Sequence, residues 1–268
     1  MNNLSLIIQI KSIKKISLRY FLELSFNGSN YHGWQIQPNA ISVQEVLEDV
    51  LSKLLGEELK IVGAGRTDAG VHASQMYTHF DAALISDTDT FLYKINAFLP
   101  KDIAVQAIYE MNDEAHARFD ATSRTYVYRL HEKKDVFSES LSYYFKQELN
   151  LVAMNKACDI LKQYDDFECF SRTHTDVKTF LCNITEASWS KDGNRITFTI
   201  SADRFLRNMV RAIVGTMLDI GLGKTTLDEL HNIIKSKKRQ HAGASAPAHG
   251  LYLTEITYPN TIFKQHGR

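Results

Sequence analysis

Between Leu18 and Phe26 every second residue is apolar (Leu18, Tyr20, Leu22, Leu24, Phe26), and the residues between them are mostly polar. A two-residue period puts one face of an extended segment against a core, so the pattern predicts a half-buried strand, closed by the turn pair Asn27-Gly28. The period changes after Ser42. Val43, Val46, Leu47, Val50, Leu51, Leu54 and Leu55 recur at three- and four-residue steps, which forms one stripe along a helix. Ser42 with Glu45 three residues on supplies the capping pattern at its start, and Gly56 supplies its stop.

The same reading predicts strands over 59–64 and 73–80, a helix over 89–96 and a strand over 103–109. A second set begins at 124–131, where Tyr126, Tyr128 and Leu130 alternate with Thr125, Val127 and Arg129. A helix over 151–164, strands over 180–189 and 196–202 and a long helix over 205–220 follow. A shorter helix is capped by Thr226 with Glu229, and a strand over 251–258 closes the chain. Sequential strands joined by short turns favour a mostly antiparallel sheet with helices on one face. The expectation is an α+β protein of two similar halves, 18–112 and 113–260, with an active-site cleft between them, an N-terminal extension over 1–17 and a tail over 261–268. The halves share no evident sequence repeat, so their likeness is one of layout.

Composition narrows the class. The chain has 268 residues, 44% of them hydrophobic, 23% charged and only four of them proline, which excludes a largely disordered or collagen-like chain. No run approaches the roughly 18 apolar residues of a membrane-spanning helix. The 31 basic and 31 acidic residues leave a formal charge of zero, so a polyanionic partner must be held by a local patch. Cys158, Cys169 and Cys182 are odd in number and lack Cys-x-x-Cys spacing, so reduced, buried thiols are expected. The apolar patch before Lys11, Lys14 and Lys15 has the charge order of a signal peptide reversed; a cytoplasmic protein is expected.

Several motifs fail on inspection. Gly63-Ala64-Gly65-Arg66-Thr67-Asp68 has Asp in place of the third glycine of a dinucleotide loop and precedes a strand. Gly223-Lys224-Thr225 lacks the first glycine of a phosphate-binding loop, and Gly243-Ala244-Ser245-Ala246-Pro247 lacks the last glycine of a nucleophile elbow. The ten histidines are scattered, and neither a cofactor nor a metal is demanded.

The loop Gly63-Ala64-Gly65-Arg66-Thr67-Asp68-Ala69-Gly70-Val71-His72-Ala73 is different. Its glycines permit tight turns and close backbone approach. Arg66 stands two residues before Asp68 and is expected to pair with it, favouring the carboxylate form. A positioned carboxylate in a cleft can act as nucleophile or base; a surface hairpin with an ion pair is the plainer alternative.

The run Gly65-Arg66-Thr67-Asp68-Ala69-Gly70-Val71-His72-Ala73 resembles the signature of the bacterial tRNA pseudouridine synthase A family. Further blocks match in order: Tyr31-His32-Gly33-Trp34-Gln35-Ile36-Gln37 after Asn27-Gly28, Ser42-Val43-Gln44-Glu45, and Asn96-Ala97-Phe98-Leu99-Pro100. His116-Ala117-Arg118-Phe119 with Arg124-Thr125-Tyr126-Val127-Tyr128, Phe205-Leu206-Arg207-Asn208-Met209-Val210-Arg211 and Ala246-Pro247-Ala248-His249-Gly250-Leu251 complete the set. The resemblance covers about residues 19–258. It implies cofactor-free conversion of uridine to pseudouridine at positions 38, 39 and 40 of the tRNA anticodon stem-loop, by a homodimer.

Residue by residue, the resemblance implies that Asp68 is the catalytic carboxylate, attacking C6 of the base or C1′ of the ribose. Arg66 would orient Asp68 or meet the phosphate of the flipped nucleotide, Arg211 would pair with Asp68, and Tyr126 would lie against the extruded uracil. By periodicity alone Tyr126, like Tyr128, is core. Arg204, Arg207 and Arg211 are spaced to share one helix face and offer guanidinium groups to RNA, as would Lys178. Lys235, Lys237, Lys238 and Arg239 form a second basic cluster that a tRNA substrate would turn into a backbone contact. Cys182 stands where many members carry arginine. The competing classes are an RNA-binding module without activity and a nucleotide-dependent enzyme; intact Asp68, Tyr126 and Arg211 speak against the first, and the missing phosphate loop against the second.

Overall fold

The computed structural model describes residues 17–173 and 177–264. The expected N-terminal extension except its last residue, His174 to Asp176, and the end of the expected tail lie outside the described residues. In chain order the elements are β1 (Leu18–Phe26), α1 (Val43–Leu55), β2 (Val62–Gly63), β3 (His72–Ala82), α2 (Thr88–Phe98) and β4 (Ile103–Met111). Then come β5 (Ser123–His131), β6 (Tyr143–Tyr144), α3 (Leu151–Leu161), β7 (Ile184–Asp192), β8 (Arg195–Ala202), α4 (Met209–Gly221), α5 (Leu227–Ser236) and β9 (Leu251–Thr257).

Among the described residues all nine strands form one sheet in the order β4-β1-β3-β9-β5-β8-β7, with β2 added to β3 and β6 to β5. The pairings are antiparallel except β3 with β9 and β5 with β6. This is the expected α+β architecture. The seam at β3 and β9 is short, with only His72 opposite Tyr252 and Ala73 opposite Leu253. Beyond it the backbone pairing stops, and the side chain of Gln75 accepts the Ile256 N–H at 2.8 Å.

Two hydrophobic cores lie on either side of that seam. One is built from β1, β3, α1, α2 and β4 with Leu253 and Ile256 of β9. The other is built from β5, β7, β8 and helices α3, α4 and α5, with Val71 from the loop before β3. Tyr126 packs against both. Burial of each large apolar side chain contributes about 1.5–3 kcal/mol, which makes these cores the main source of stability. The three cysteines are buried and free, and burial pushes each thiol up to about 12.

The start of α1 has the expected cap: Ser42 Oγ accepts the Glu45 N–H at 3.2 Å, and Gly56 ends the helix in the left-handed conformation at φ 71°. Three segments differ from the pattern reading. Over 59–61 the backbone turns to α1 instead of a strand, with Leu59 N donating to Ser52 Oγ at 2.9 Å and Ile61 N to Glu48 Oε1 at 3.1 Å. Residues 180–183 pair with the segment before them, through Phe167 N to Phe180 O (3.1 Å) and Cys182 N to Asp165 O (2.8 Å), so β7 starts only at Ile184. Helix α4 starts at Met209 because Asn208 adopts φ 65°, a left-handed conformation that a right-handed helix cannot contain. Arg204 and Arg207 therefore lie on the lead-in to α4 and do not share a helix face with Arg211.

Candidate active site

The loop from Ala64 to Val71 joins β2 to β3 and is held from behind by the segment following β1. Trp34 N donates to Thr67 O at 3.3 Å, Gly70 N to Tyr31 O at 3.2 Å, and Val71 N closes a turn on Asp68 O at 3.1 Å. The approach is too close for side chains. A Cβ on Gly28 would stand 2.0 Å from Val71 O, and one on Gly33, which has φ +90°, would stand 2.4 Å from Thr67 O. His72 locks the end of the loop: its Nδ1 accepts the Gly28 N–H at 3.0 Å, so its Nε2 carries the proton and donates to His249 O at 3.2 Å. The blocks Asn27-Gly28 and Tyr31 to Trp34 thus form the backing of the loop.

Asp68 is left partly open, with a quarter of its side chain exposed (25%). Its Oδ2 accepts from Nη1 of Arg211, on α4, at 3.1 Å. The same guanidinium donates through Nε to Ala246 O at 2.7 Å, while Ala246 N donates to Arg211 O at 3.0 Å. The 243–248 segment is itself seated on α4. Gly243 N donates to Thr216 Oγ1 at 2.9 Å, and Gly215 leaves room for Ala244 O, which a Cβ would meet at 1.7 Å. An ion pair that still faces water contributes about 0–1 kcal/mol, so the Asp68–Arg211 contact serves orientation more than folding.

Tyr126 completes the group. Its ring stands edge-on to Phe205, with centroids 5.1 Å apart. Burial pushes its phenol up to about 12, against the pull of the Arg124 guanidinium, and the Asp68 carboxylate adds to the rise. The phenol is therefore protonated at neutral pH and shares its surroundings with Asp68. Tyr128, two residues on, is fully buried and donates its hydroxyl to Pro247 O at 2.8 Å, so it is core as expected.

The structure pairs Asp68 with Arg211 beside Tyr126, and among the described residues no other expected site residue forms an ion pair with Asp68. Arg66 is exposed and does not pair with Asp68. Buried Thr67, tied through its carbonyl to Trp34, separates the two, and the carboxylate turns toward α4. Arg207 and Lys178 are exposed and Arg204 is half-buried. Within the second basic cluster, Lys237 is paired with Asp166 at 2.6 Å. Arg239 is turned inward to Ala242 O, Gly243 O and Ser245 Oγ, where it supports the segment that carries Ala246. Cys182 is 2% exposed, so that position faces the core and not a ligand.

Arg124 has a role that pattern reading missed. Its Nη1 donates to Ala121 O (2.9 Å) and Asp203 O (2.8 Å), and its Nη2 to Arg118 O (2.7 Å) and Ala64 O (3.3 Å). One guanidinium thus ties the base of the Asp68 loop to the 118–121 turn and to the lead-in of α4; burial lowers its pKa. The available signal was a cation on the same strand face as Tyr126 and Tyr128. Among the described residues no cluster of three or more His, Cys, Asp or Glu side chains is placed to hold a metal ion. Among them, too, no helix is long and apolar enough to cross a membrane.

The family model described as tRNA pseudouridine synthase matches residues 24–120 and 162–259, which include Asp68 and Arg211; Tyr126 lies between the two matched segments. A tRNA pseudouridine synthase A of Parabacteroides distasonis is 52% identical over 246 residues, covering 91% of this chain and 98% of that protein. The protein of that name from Bacteroides thetaiotaomicron is 49% identical over 250 residues, with 92% and 93% covered. The one from Bacillus subtilis is 37% identical over 247 residues, with 91% and 100% covered. With a part-exposed carboxylate, its arginine partner and a tyrosine packed against both cores already in place, the chain belongs to the tRNA pseudouridine synthase family.

Proposed function

We propose that this chain isomerises uridine to pseudouridine in the anticodon stem-loop of tRNA, at positions 38, 39 and 40, with Asp68 as the nucleophile. The observation that carries this reading is the carboxylate itself: a quarter exposed and held by Arg211 of α4, 143 residues on in the chain. The reaction is redox-neutral. The N1–C1′ bond breaks, a C5–C1′ bond forms, the C5 proton is lost and N1 gains one. An electron pair of Asp68 bonds transiently to C6 of the base or C1′ of the ribose and is recovered when the C5–C1′ bond is complete. Arg211 holds the carboxylate in line, and the neutral ring of Tyr126 lies against the uracil once it has left its stack.

Exposed Arg66, Arg207 and Lys178, with half-buried Arg204, supply the phosphate contacts that a chain of zero net charge needs locally. The working unit is a cytoplasmic homodimer, which sedimentation of the purified protein reads directly. The test of function is to incubate the protein, with EDTA, with an unmodified tRNA transcript carrying uridines in the anticodon stem-loop. Pseudouridine is then mapped by carbodiimide labelling and primer extension. New stops at those positions, absent with Asp68→Asn, are expected; tRNA binding without stops, while a known enzyme modifies the same transcript, contradicts the reading.

A further inference from the structure

The three segments that Arg124 ties together each carry an arginine: Arg66 two residues after Ala64, Arg118 itself, and Arg204 next to Asp203. Among the described residues, none of these three guanidinium groups forms an ion pair. Phe119, next to Arg118 in that turn, is 73% exposed. Its turn is firmly built. His116 Nδ1 accepts the N–H groups of Arg118 (3.1 Å) and Phe119 (3.3 Å). Asp120 Oδ2 accepts the His116 N–H at 2.7 Å. The Phe119 ring leans on His116 with centroids 4.2 Å apart, and the Arg118 guanidinium lies 5.6 Å from its centroid.

A large aromatic ring held in solvent beside an unpaired guanidinium suits an unstacked nucleobase: the ring takes the base and the cation takes its phosphate. We infer that Phe119 and Arg118 form a second nucleotide-binding position on the rim of the Asp68 site, where Phe119 stacks on a loop base of the tRNA next to the uridine drawn to Asp68. The inference rests on tRNA being the substrate. The link to the reacting nucleotide is Arg124, which joins the carbonyl of Arg118 to that of Ala64 at the base of the Asp68 loop.

Phe119→Trp tests this, because the natural Trp34 and Trp189 are 2% and 5% exposed and a new indole at 119 would be the one facing solvent. Titration with an unmodified anticodon stem-loop should quench that indole, whereas the stem duplex without its loop should leave it bright. In Phe119→Ala, KM for the stem-loop should rise roughly 5- to 150-fold, the span that about 1–3 kcal/mol of stacking corresponds to. The rate at saturating RNA and the thermal midpoint should stay within error, and Phe119→Tyr should restore KM. Binding and modification of the stem-loop without quenching, or a lowered midpoint with unchanged KM in Phe119→Ala, would overturn the inference and make the ring a cover for His116. A wild-type protein that neither binds nor modifies tRNA would overturn the substrate reading and this inference with it.

Discussion

Asp68 depends on a partner 143 residues away in the chain. The Arg211 fork uses one nitrogen on the carboxylate and another on Ala246 O, so its position is set from two directions. Lysine has the charge but not the planar fork. Arg211→Ala is therefore expected to lower kcat by roughly 10²-fold, the scale of a small misplacement of a reacting group, with little change in thermal midpoint; Arg211→Lys should recover only a minor part. Single-turnover rates beside melting curves check this, and a full-rate alanine variant would remove Arg211 from the mechanism. Asp68, Tyr126 and Arg211 were legible because each sits inside a distinctive run. The pairing of Asp68 was not legible from spacing: Arg66 is the neighbour in sequence, but the turn beginning at Asp68 aims the carboxylate at α4.

Among the elements, the Asp68 loop has no regular structure of its own and takes its shape from glycines in the segment behind it. Gly33 has both a positive φ and no room for a Cβ beside Thr67 O. Gly33→Ala should displace the loop, lowering stability by about 1–3 kcal/mol and kcat by more than that loss of folded protein explains; a variant with unchanged kcat and melting curve would contradict the backing role. Periodicity found β1, α1, β5 and the capping box of α5 because each obeys a single period over several turns or pairs. It overran the start of α4, where Asn208 is left-handed, and of β7, where residues 180–183 pair with 165–167. Such boundaries are set by one dihedral angle or by a distant partner, neither of which leaves a mark on hydrophobic spacing. Strand β6 spans only two residues, too few to show a period.

The two cores share one sheet, with β9 pairing with β3 on one side and β5 on the other and Tyr126 packing against both, and His72, His79 and His131 are buried. His79 is 5% exposed, and its Nδ1 accepts the Ala117 N–H at 3.1 Å. Burial, with the Arg19 and His116 charges beside it, pushes His79 down to about 4, while Asp81 and Asp120 pull weakly the other way. An unfolded histidine takes its proton near 6.5. Between those values the unfolded chain binds more protons than the folded one, so stability falls as pH falls from about 6.5 toward 4. The loss at pH 5 from this group alone is about 2 kcal/mol. Melting curves from pH 7.5 to 5 should show the decline, and His79→Gln, which keeps an acceptor but no titration, should make it shallower, with His72, His116 and His249, also pushed down by burial, supplying the remainder; a slope unchanged in that variant would place the effect elsewhere. At this scale the fold class was legible from the alternation of periods. The shortness of the β3–β9 pairing was not, because past Ala73 the Ile256 N–H goes to the Gln75 side chain and not to a backbone carbonyl.

The claim on which the rest depends is that the Asp68 carboxylate drives loss of the C5 proton. The most direct measurement is tritium release from tRNA carrying [5-³H]uridine in its anticodon stem-loop, with enzyme in excess over RNA. The wild-type protein should release tritium from each uridine it converts, and Asp68→Asn should release none while still binding the same tRNA. Release by Asp68→Asn at the wild-type rate would contradict the account and place the chemistry on another group.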